Sequence, residues 1–299
     1  MPNALFPFFD PCRGFGHSQA VVTIWVNSMQ WLEARDFNLH DTLNSGQLFR
    51  YIDFGDHYLI HGGNRLFRIW QKGSRIFFDG VGEKFISHFF RLDDDLEGIY
   101  RQIEKDPFIG KAIELYRGLR LIRQDPWECL VSFLCSSAKN IPHIKCIVEH
   151  LCRHYGPAIS LGNYHGYGFP SPERISDSQD LGRIKAGFRA RYLLEVSRRV
   201  KSMDLRAMGK LEYRDAKKEL MVLPGVGEKI ADCVLLFSLD FTEAFPVDTW
   251  VKKAMRTGYH GGEKLSDRKI REFVQGYFGR YAGYAQQYLY HYVRNQGWK

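Results

Sequence analysis

Residues 212–256 read LEYRDAKKELMVLPGVGEKIADCVLLFSLDFTEAFPVDTWVKKAM. Asp215 to Val222 carries a helical pattern, and Pro224 stops it. Gly225 and Gly227 bracket a tight turn, and apolar residues at Ile230, Val234 and Phe237 restart a helical period. The pattern predicts two short helices joined by Leu223-Pro224-Gly225-Val226-Gly227, a helix-hairpin-helix at about 212–239. In such a turn the glycines let backbone N–H groups approach a phosphate, and the second helix adds the positive end of its dipole. Lys229 sits in that helix's first turn, where the dipole disfavours an ammonium ion and leaves the free amine more available as a nucleophile. Nineteen residues on, Val247-Asp248-Thr249 places Asp248 as N-cap of another helix. Taken singly, the turn could join any two helices, the lysine could be a solvated surface residue and the aspartate a plain cap. Together, a phosphate clamp, an amine and an aspartate point to an enzyme acting on DNA.

The run from Leu223 to Asp248 resembles the helix-hairpin-helix glycosylases with a Gly/Pro-rich loop and an aspartate, and within them the 8-oxoguanine DNA glycosylases. The resemblance extends over most of the chain. It is carried early by Leu43-Asn44-Ser45-Gly46-Gln47-Leu48-Phe49-Arg50. In the middle it is carried by Arg123-Gln124-Asp125-Pro126-Trp127-Glu128-Cys129 and Phe133-Leu134-Cys135-Ser136-Ser137. Phe188-Arg189-Ala190-Arg191-Tyr192 precedes the hairpin, and Tyr281-Ala282-Gly283-Tyr284-Ala285-Gln286 lies near the end.

At 299 residues the chain is long enough for two or three packed domains. Nothing approaches eighteen consecutive apolar residues, and the start lacks the basic and apolar runs of a secretory signal. Six cysteines (12, 129, 135, 146, 152, 233) lack metal-ligand spacing and read as reduced thiols of an intracellular protein. Some relatives carry a four-cysteine iron–sulfur loop after the catalytic aspartate. No cysteine follows Cys233, so neither that cluster nor any other metal or organic cofactor is expected. The net charge of +8 is uneven. Residues 1–108 hold 11 Lys+Arg against 14 Asp+Glu, a balance of −3, whereas residues 109–299 hold 31 against 20, or +11. A basic C-terminal two-thirds suits a phosphate-binding surface, although a merely soluble basic protein would share it.

The first hundred residues look strand-rich: 21–26, 48–54, 57–61, 65–71 and 73–78 are β-type or alternating segments separated by Gly, Asp and Asn. Helical patterns then take over at 110–120, 126–138, 141–155, 171–177, 190–204, 212–222, 228–239, 248–257, 266–278 and 281–295, with a loop at 156–171. The expectation is an α+β chain, with an N-terminal antiparallel β domain (1–108) followed by a helical catalytic region (109–299).

Helical spacing puts Lys229 and Cys233 on one face, and Gln286 and Tyr290 on one face of the last helix. Tyr277, Tyr281, Tyr284 and Tyr288 fall on the opposite face and read as core. An amide and an aromatic ring one turn apart suit reading and stacking a flipped base, though a half-exposed surface pair would look the same.

The resemblance assigns the Schiff-base role to Lys229 and the acidic role to Asp248. It gives Gln286 the base's pairing edge and stacks the base between Cys233 and Tyr290. It sets the Gly46 carbonyl against the N7–H that distinguishes 8-oxoguanine from guanine. Gly225, Val226 and Gly227 would hold backbone phosphates, Phe188 would wedge into the duplex, and Arg189 and Asn140 would face the opposite strand. It thus implies a bifunctional glycosylase/AP lyase whose partner is duplex DNA containing oxidised guanine, acting as a monomer.

Two departures stand out. Relatives with a strong cytosine preference carry Asn-Asn-Asn-Ile and a nearby arginine where this chain has Ala138-Lys139-Asn140-Ile141 and then His143. Trp250 stands where some relatives have histidine. Both suggest a prokaryote-like branch with altered contacts to the opposite base and to phosphate.

Overall fold

The computed structural model describes residues 29–136, 140–178 and 180–297, so the strand expected at 21–26 lies outside them. Five antiparallel strands form the first layer: β1 (Gln30–Glu33), β2 (Tyr51–Asp53), β3 (Tyr58–Gly62), β4 (Arg65–Lys72) and β5 (Arg75–Asp79), in the order β1-β5-β4-β3-β2. Short glycine-led turns at Gly63-Asn64 and Gly73-Ser74 set the register, pairing Ile60 with Phe67 and Ile69 with Phe78. One face of the sheet, carrying Ile60, Phe67, Ile69, Ile76 and Phe78, is buried under Ile86, Phe89 and Phe90 of α2 (Glu83–Phe89) and its C-cap. Three helices interrupt this region where the sequence pattern suggested only strands: α1 (Leu39–Asn44), α2 and α3 (Leu96–Ile103). Each is shorter than three turns, too short for periodicity to stand out.

The second core is helical. It is built by α4 (Pro107–Leu115), α5 (Pro126–Cys135), α6 (Ile141–Tyr155), α7 (Pro172–Ser176), α8 (Arg189–Val200), α9 (Tyr213–Met221), α10 (Glu228–Ser238), α11 (Thr249–Gly258), α12 (Asp267–Phe278) and α13 (Ala282–Asn295). Their starts are encoded locally. Asp106, Asp125, Asn140, Ser171, Asp248 and Ser266 each cap a helix with a side-chain oxygen, and four of these helices carry proline in the first turn. The expected helix at 110–120 is shifted to Pro107–Leu115, because Asp106 and Pro107 form the start signal. Helices α5 and α10 pack together at the centre, and both are apolar on nearly every side. Tyr284 and Tyr288 are fully buried, and Tyr277 and Tyr281 pack partly buried at the edge of the same core.

The expected loop at 156–171 contains a hairpin, β6 (Ala158–Leu161) and β7 (Tyr164–Tyr167), closed by Gly162-Asn163. It leans on β4. Layer contact comes also from Arg50, whose Nη1 lies 3.3 Å from Glu128 Oε1 with both side chains buried. The Gly63 N–H donates to the other Glu128 oxygen at 2.6 Å. Four cysteines, 129, 135, 152 and 233, are free and buried, and Cys12 lies outside the described residues. Among the described residues no helix is long and apolar enough to cross a membrane.

Candidate active site

The hairpin forms where the sequence places it, with α9 and α10 joined through residues 222–227. Gly225 has φ +79°, and a Cβ there would lie 2.8 Å from Tyr192 Cγ. Glycine is therefore required both by the turn and by the ring packed against it. Gly227 is the extended N-cap of α10 with open space beside it, while Val226 is buried beneath the turn. Arg199 at the end of α8 donates to the Val222 carbonyl at 3.1 Å, and the Val222 side chain stands 64% exposed. Between the two hairpin helices, buried Asp232 accepts from Tyr213 Oη at 2.7 Å and pairs with Lys217 at 2.9 Å; Arg271 of α12 joins them at 3.5 Å. This charged cluster fixes the angle between the helices.

Lys229 enters the interior from the first turn of α10. Its Nζ donates to Ser136 Oγ at 3.1 Å and lies 5.3 Å above the Phe133 ring. Ser136 caps the end of α5 and was not singled out by the sequence pattern, since it lies 93 residues from its partner. Asp248 caps α11, its Oδ1 accepting from the Val251 N–H at 2.8 Å. Burial outweighs the Val251 N–H, the Lys229 charge, the Trp250 N–H and Arg294, and the carboxyl's pKa lies above the usual aspartate value. Burial also pushes the Cys233 thiol up to about 12; the Lys229 charge opposes this, and Asp232 and Asp248 reinforce it. Lys229, Cys233 and Asp248 thus share one electrostatic environment around the buried Cys233 thiol.

Tyr290 closes that environment. Burial raises its phenol pKa, Arg294 opposes the rise, and Asp248 and Cys233 add to it. Gly46 lies against this ring: its φ is +76°, and a Cβ would sit 2.7 Å from Tyr290 Oη. One turn earlier on α13, Gln286 is 4% exposed and its Oε1 has no hydrogen-bond partner among the described residues. An orphaned amide oxygen costs stability unless something else satisfies it. The tertiary structure therefore gathers Gly46, Lys229, Cys233, Asp248, Gln286 and Tyr290, drawn from four distant stretches.

On the rim, Phe188 is the N-cap of α8 and stands 65% exposed, packed edge-on to Tyr192 at 6.3 Å. Tyr192 is the same ring that touches Gly225, so it links the exposed phenylalanine to the hairpin turn; the i,i+4 spacing from Phe188 was the available signal. Arg189 is buried rather than displayed. Its guanidinium lies 4.4 Å from the Phe188 ring and donates to the Ala186 carbonyl at 3.4 Å, with Nε unpartnered among the described residues. Asn140 caps α6, accepting from the His143 N–H at 3.1 Å and lying 2.6 Å from His143 Nδ1. Ala138 and Lys139 lie outside the described residues.

The family model described as 8-oxoguanine DNA glycosylase, N-terminal domain, matches residues 31–130. A probable N-glycosylase/DNA lyase of Methanothermobacter thermautotrophicus is 33% identical over 235 residues, spanning 71% of this chain and 75% of that protein. The chain belongs to the N-glycosylase/DNA lyase family. The solved structure of Clostridium acetobutylicum 8-oxoguanine glycosylase/lyase, in complex with duplex DNA containing cytosine opposite 8-oxoguanine, superposes with a TM-score of 0.85. It is 30% identical, and the match covers 91% of this chain and 99% of that one. A 3-methyladenine DNA glycosylase from Archaeoglobus fulgidus, 18% identical with a TM-score of 0.76, shares the fold.

Proposed function

We infer that this chain is a bifunctional DNA glycosylase/AP lyase that removes 8-oxoguanine from duplex DNA. The observation that carries the reading is a partly buried lysine amine whose charge is felt by the partly buried Asp248 carboxyl, with the unpartnered amide oxygen of Gln286 on the adjoining helix. A base inside a duplex is out of reach of such a site, so the nucleotide must turn out of the stack. Phe188, the most exposed large apolar side chain among the described residues, would fill the gap it leaves. Gln286 would then meet the base's pairing edge, Cys233 and Tyr290 its faces, and the Gly46 carbonyl its N7–H.

The Lys229 amine attacks C1′ as the C1′–N9 bond breaks, and the base leaves with the bonding pair. Ring opening gives an imine between Nζ and C1′, and loss of a C2′ proton expels the 3′ phosphate by β-elimination. Ionised Asp248 stabilises positive charge developing on the sugar. One chain carries every group this sequence of steps uses, so a monomer suffices. The reading is tested by strand cleavage on duplexes carrying 8-oxoguanine, a methylated purine or an abasic site, with borohydride trapping of the imine. Cleavage at the abasic site without excision of 8-oxoguanine would move the substrate to another damaged base. Absence of trapping on every duplex would reduce the chain to a DNA-binding protein.

Two expected outcomes follow. With a charge balance of +11 over residues 109–299 and a hairpin aimed at phosphates, binding should weaken steeply with salt. For roughly four phosphate contacts the loss is about a hundredfold between ~50 and ~200 mM salt. Affinity unchanged over that range would contradict a backbone-dominated interface.

The second concerns the base opposite the lesion. Arg189 is buried, and Asn140 is occupied by His143, so neither is ready-made to hydrogen-bond an orphaned cytosine. Each such contact discriminates by about 1–3 kcal/mol. Single-turnover excision opposite cytosine, adenine, guanine and thymine should therefore agree within about tenfold. A hundredfold preference for cytosine would show that Arg189 turns outward and reads it unaided.

A further inference from the structure

The Gly46 loop is held from both ends, and the two sets of bonds come from different parts of the chain. On the C-terminal side, Gln47 is buried and saturated. Its Nε2 donates to the carbonyls of Thr42 and Arg120 at 3.2 and 2.8 Å, and its Oε1 accepts from the Ile122 N–H at 2.8 Å. The Gln47 carbonyl accepts from Gln124 Nε2 at 2.7 Å. On the N-terminal side, the bonds come from α13. Gln287, 2% exposed, donates from Nε2 to the Ser45 carbonyl at 2.7 Å, and Arg294 Nη1 donates to the Asn44 carbonyl at 3.1 Å. The same Arg294 nitrogen lies 3.5 Å from Tyr290 Oη, and His291 Nε2 lies 3.3 Å from Asp41 Oδ1. Gly46 stands between these anchors at φ +76°, against Tyr290.

We propose that Gln287, assisted by Arg294, is a specificity-determining positioning residue that holds the Gly46 carbonyl in the register needed to tell 8-oxoguanine from guanine. The inference rests on the reading that this carbonyl faces N7 of the flipped base. 8-Oxoguanine offers an N–H there and guanine a lone pair, so a carbonyl in register attracts one and repels the other. Both effects depend on distance and angle and fade together when the oxygen moves. A glycine has no side chain to fix its own orientation, so its neighbours must do it. Gln286 and Gln287 thereby divide the work of α13: one amide is left open toward the pocket, and the next is spent on the pocket wall.

The test compares affinities for duplexes holding 2′-fluoro-8-oxodeoxyguanosine and 2′-fluorodeoxyguanosine. The fluorine disfavours positive charge on the sugar and keeps the glycosidic bond intact. The unaltered chain is expected to favour the lesion at least tenfold. Gln287→Leu should cut that ratio at least fivefold, while cleavage of an abasic duplex, which presents no base to Gly46, stays within threefold of the unaltered rate. Arg294→Lys keeps the charge that Asp248 senses but cannot span Asn44 and Tyr290 together; it probes the other end of the loop and should lower the ratio at least twofold. A ratio unchanged in Arg294→Lys and in a folded Gln287→Leu overturns the proposal. No preference in the unaltered chain would instead overturn the placement of Gly46 against N7, and the proposal with it.

Discussion

Replacing Lys229 with glutamine is expected to abolish borohydride trapping and to lower excision of 8-oxoguanine by on the order of 10³-fold or more, as loss of a covalent nucleophile does elsewhere. Glutamine preserves a hydrogen-bonding group near Ser136 Oγ but has no amine to form an imine. The site around it is held by contacts that do not involve Nζ: the Asp248 cap on Val251, the Asp232 cluster and the packing of α5 on α10. Duplex binding should therefore stay within a few-fold of the unaltered protein, because the phosphate contacts proposed for this chain lie in the turn before Lys229. Trapping is the decisive measurement. Undiminished trapping in Lys229→Gln would place the nucleophile on another amine.

Asp248→Asn should slow excision by roughly 10²–10³-fold, the usual cost of removing one charge aimed at a developing charge, about 3–4 kcal/mol. The same change should stabilise the fold at neutral pH. Burial raises the Asp248 pKa in the folded protein above its unfolded value of about 3.9. The unfolded chain therefore releases this proton more readily. Its contribution to stability is complete below about pH 3.9 and is lost as pH rises through the folded-state value. Asparagine carries no charge at any pH and can still accept from the Val251 N–H. The variant's gain in Tm over the unaltered protein should accordingly be absent in acid, grow above about pH 4 and level off once Asp248 is ionised. In the unaltered enzyme the acid limb of the excision rate should lie above the ordinary aspartate range, and it should vanish in the variant. A rate within a few-fold of the unaltered enzyme would leave Asp248 as a helix cap alone, and a lowered Tm at neutral pH would contradict its burial cost.

Much of this architecture was legible because its signals are local. The hairpin follows from Pro224, Gly225 and Gly227, and the helix starts follow from short polar side chains that bond to N–H groups two or three residues on. The Lys229–Cys233 and Gln286–Tyr290 pairings need only the helical repeat. The β6–β7 hairpin was also written in the chain, as Ala158-Ile159-Ser160-Leu161 and Tyr164-His165-Gly166-Tyr167 around Gly162-Asn163. Its two four-residue strands hold a single β-branched residue, Ile159, and lack the run that marks a strand, so it reads as a loop until β4 is found beside it.

What the tertiary structure alone decided concerns groups whose surroundings come from far along the chain. The cap by itself would lower the Asp248 pKa, whereas in the folded protein burial raises it, because desolvation depends on the helices that close over it. Arg189 looked like a displayed reader and is buried beside Phe188. Ser136 met Lys229, and Gln287 met Ser45, across 93 and 242 residues of sequence. Capping, turns and helical faces act over a few residues and can be read from them. Burial and long-range hydrogen bonds are properties of which surfaces meet, and no residue carries that information by itself.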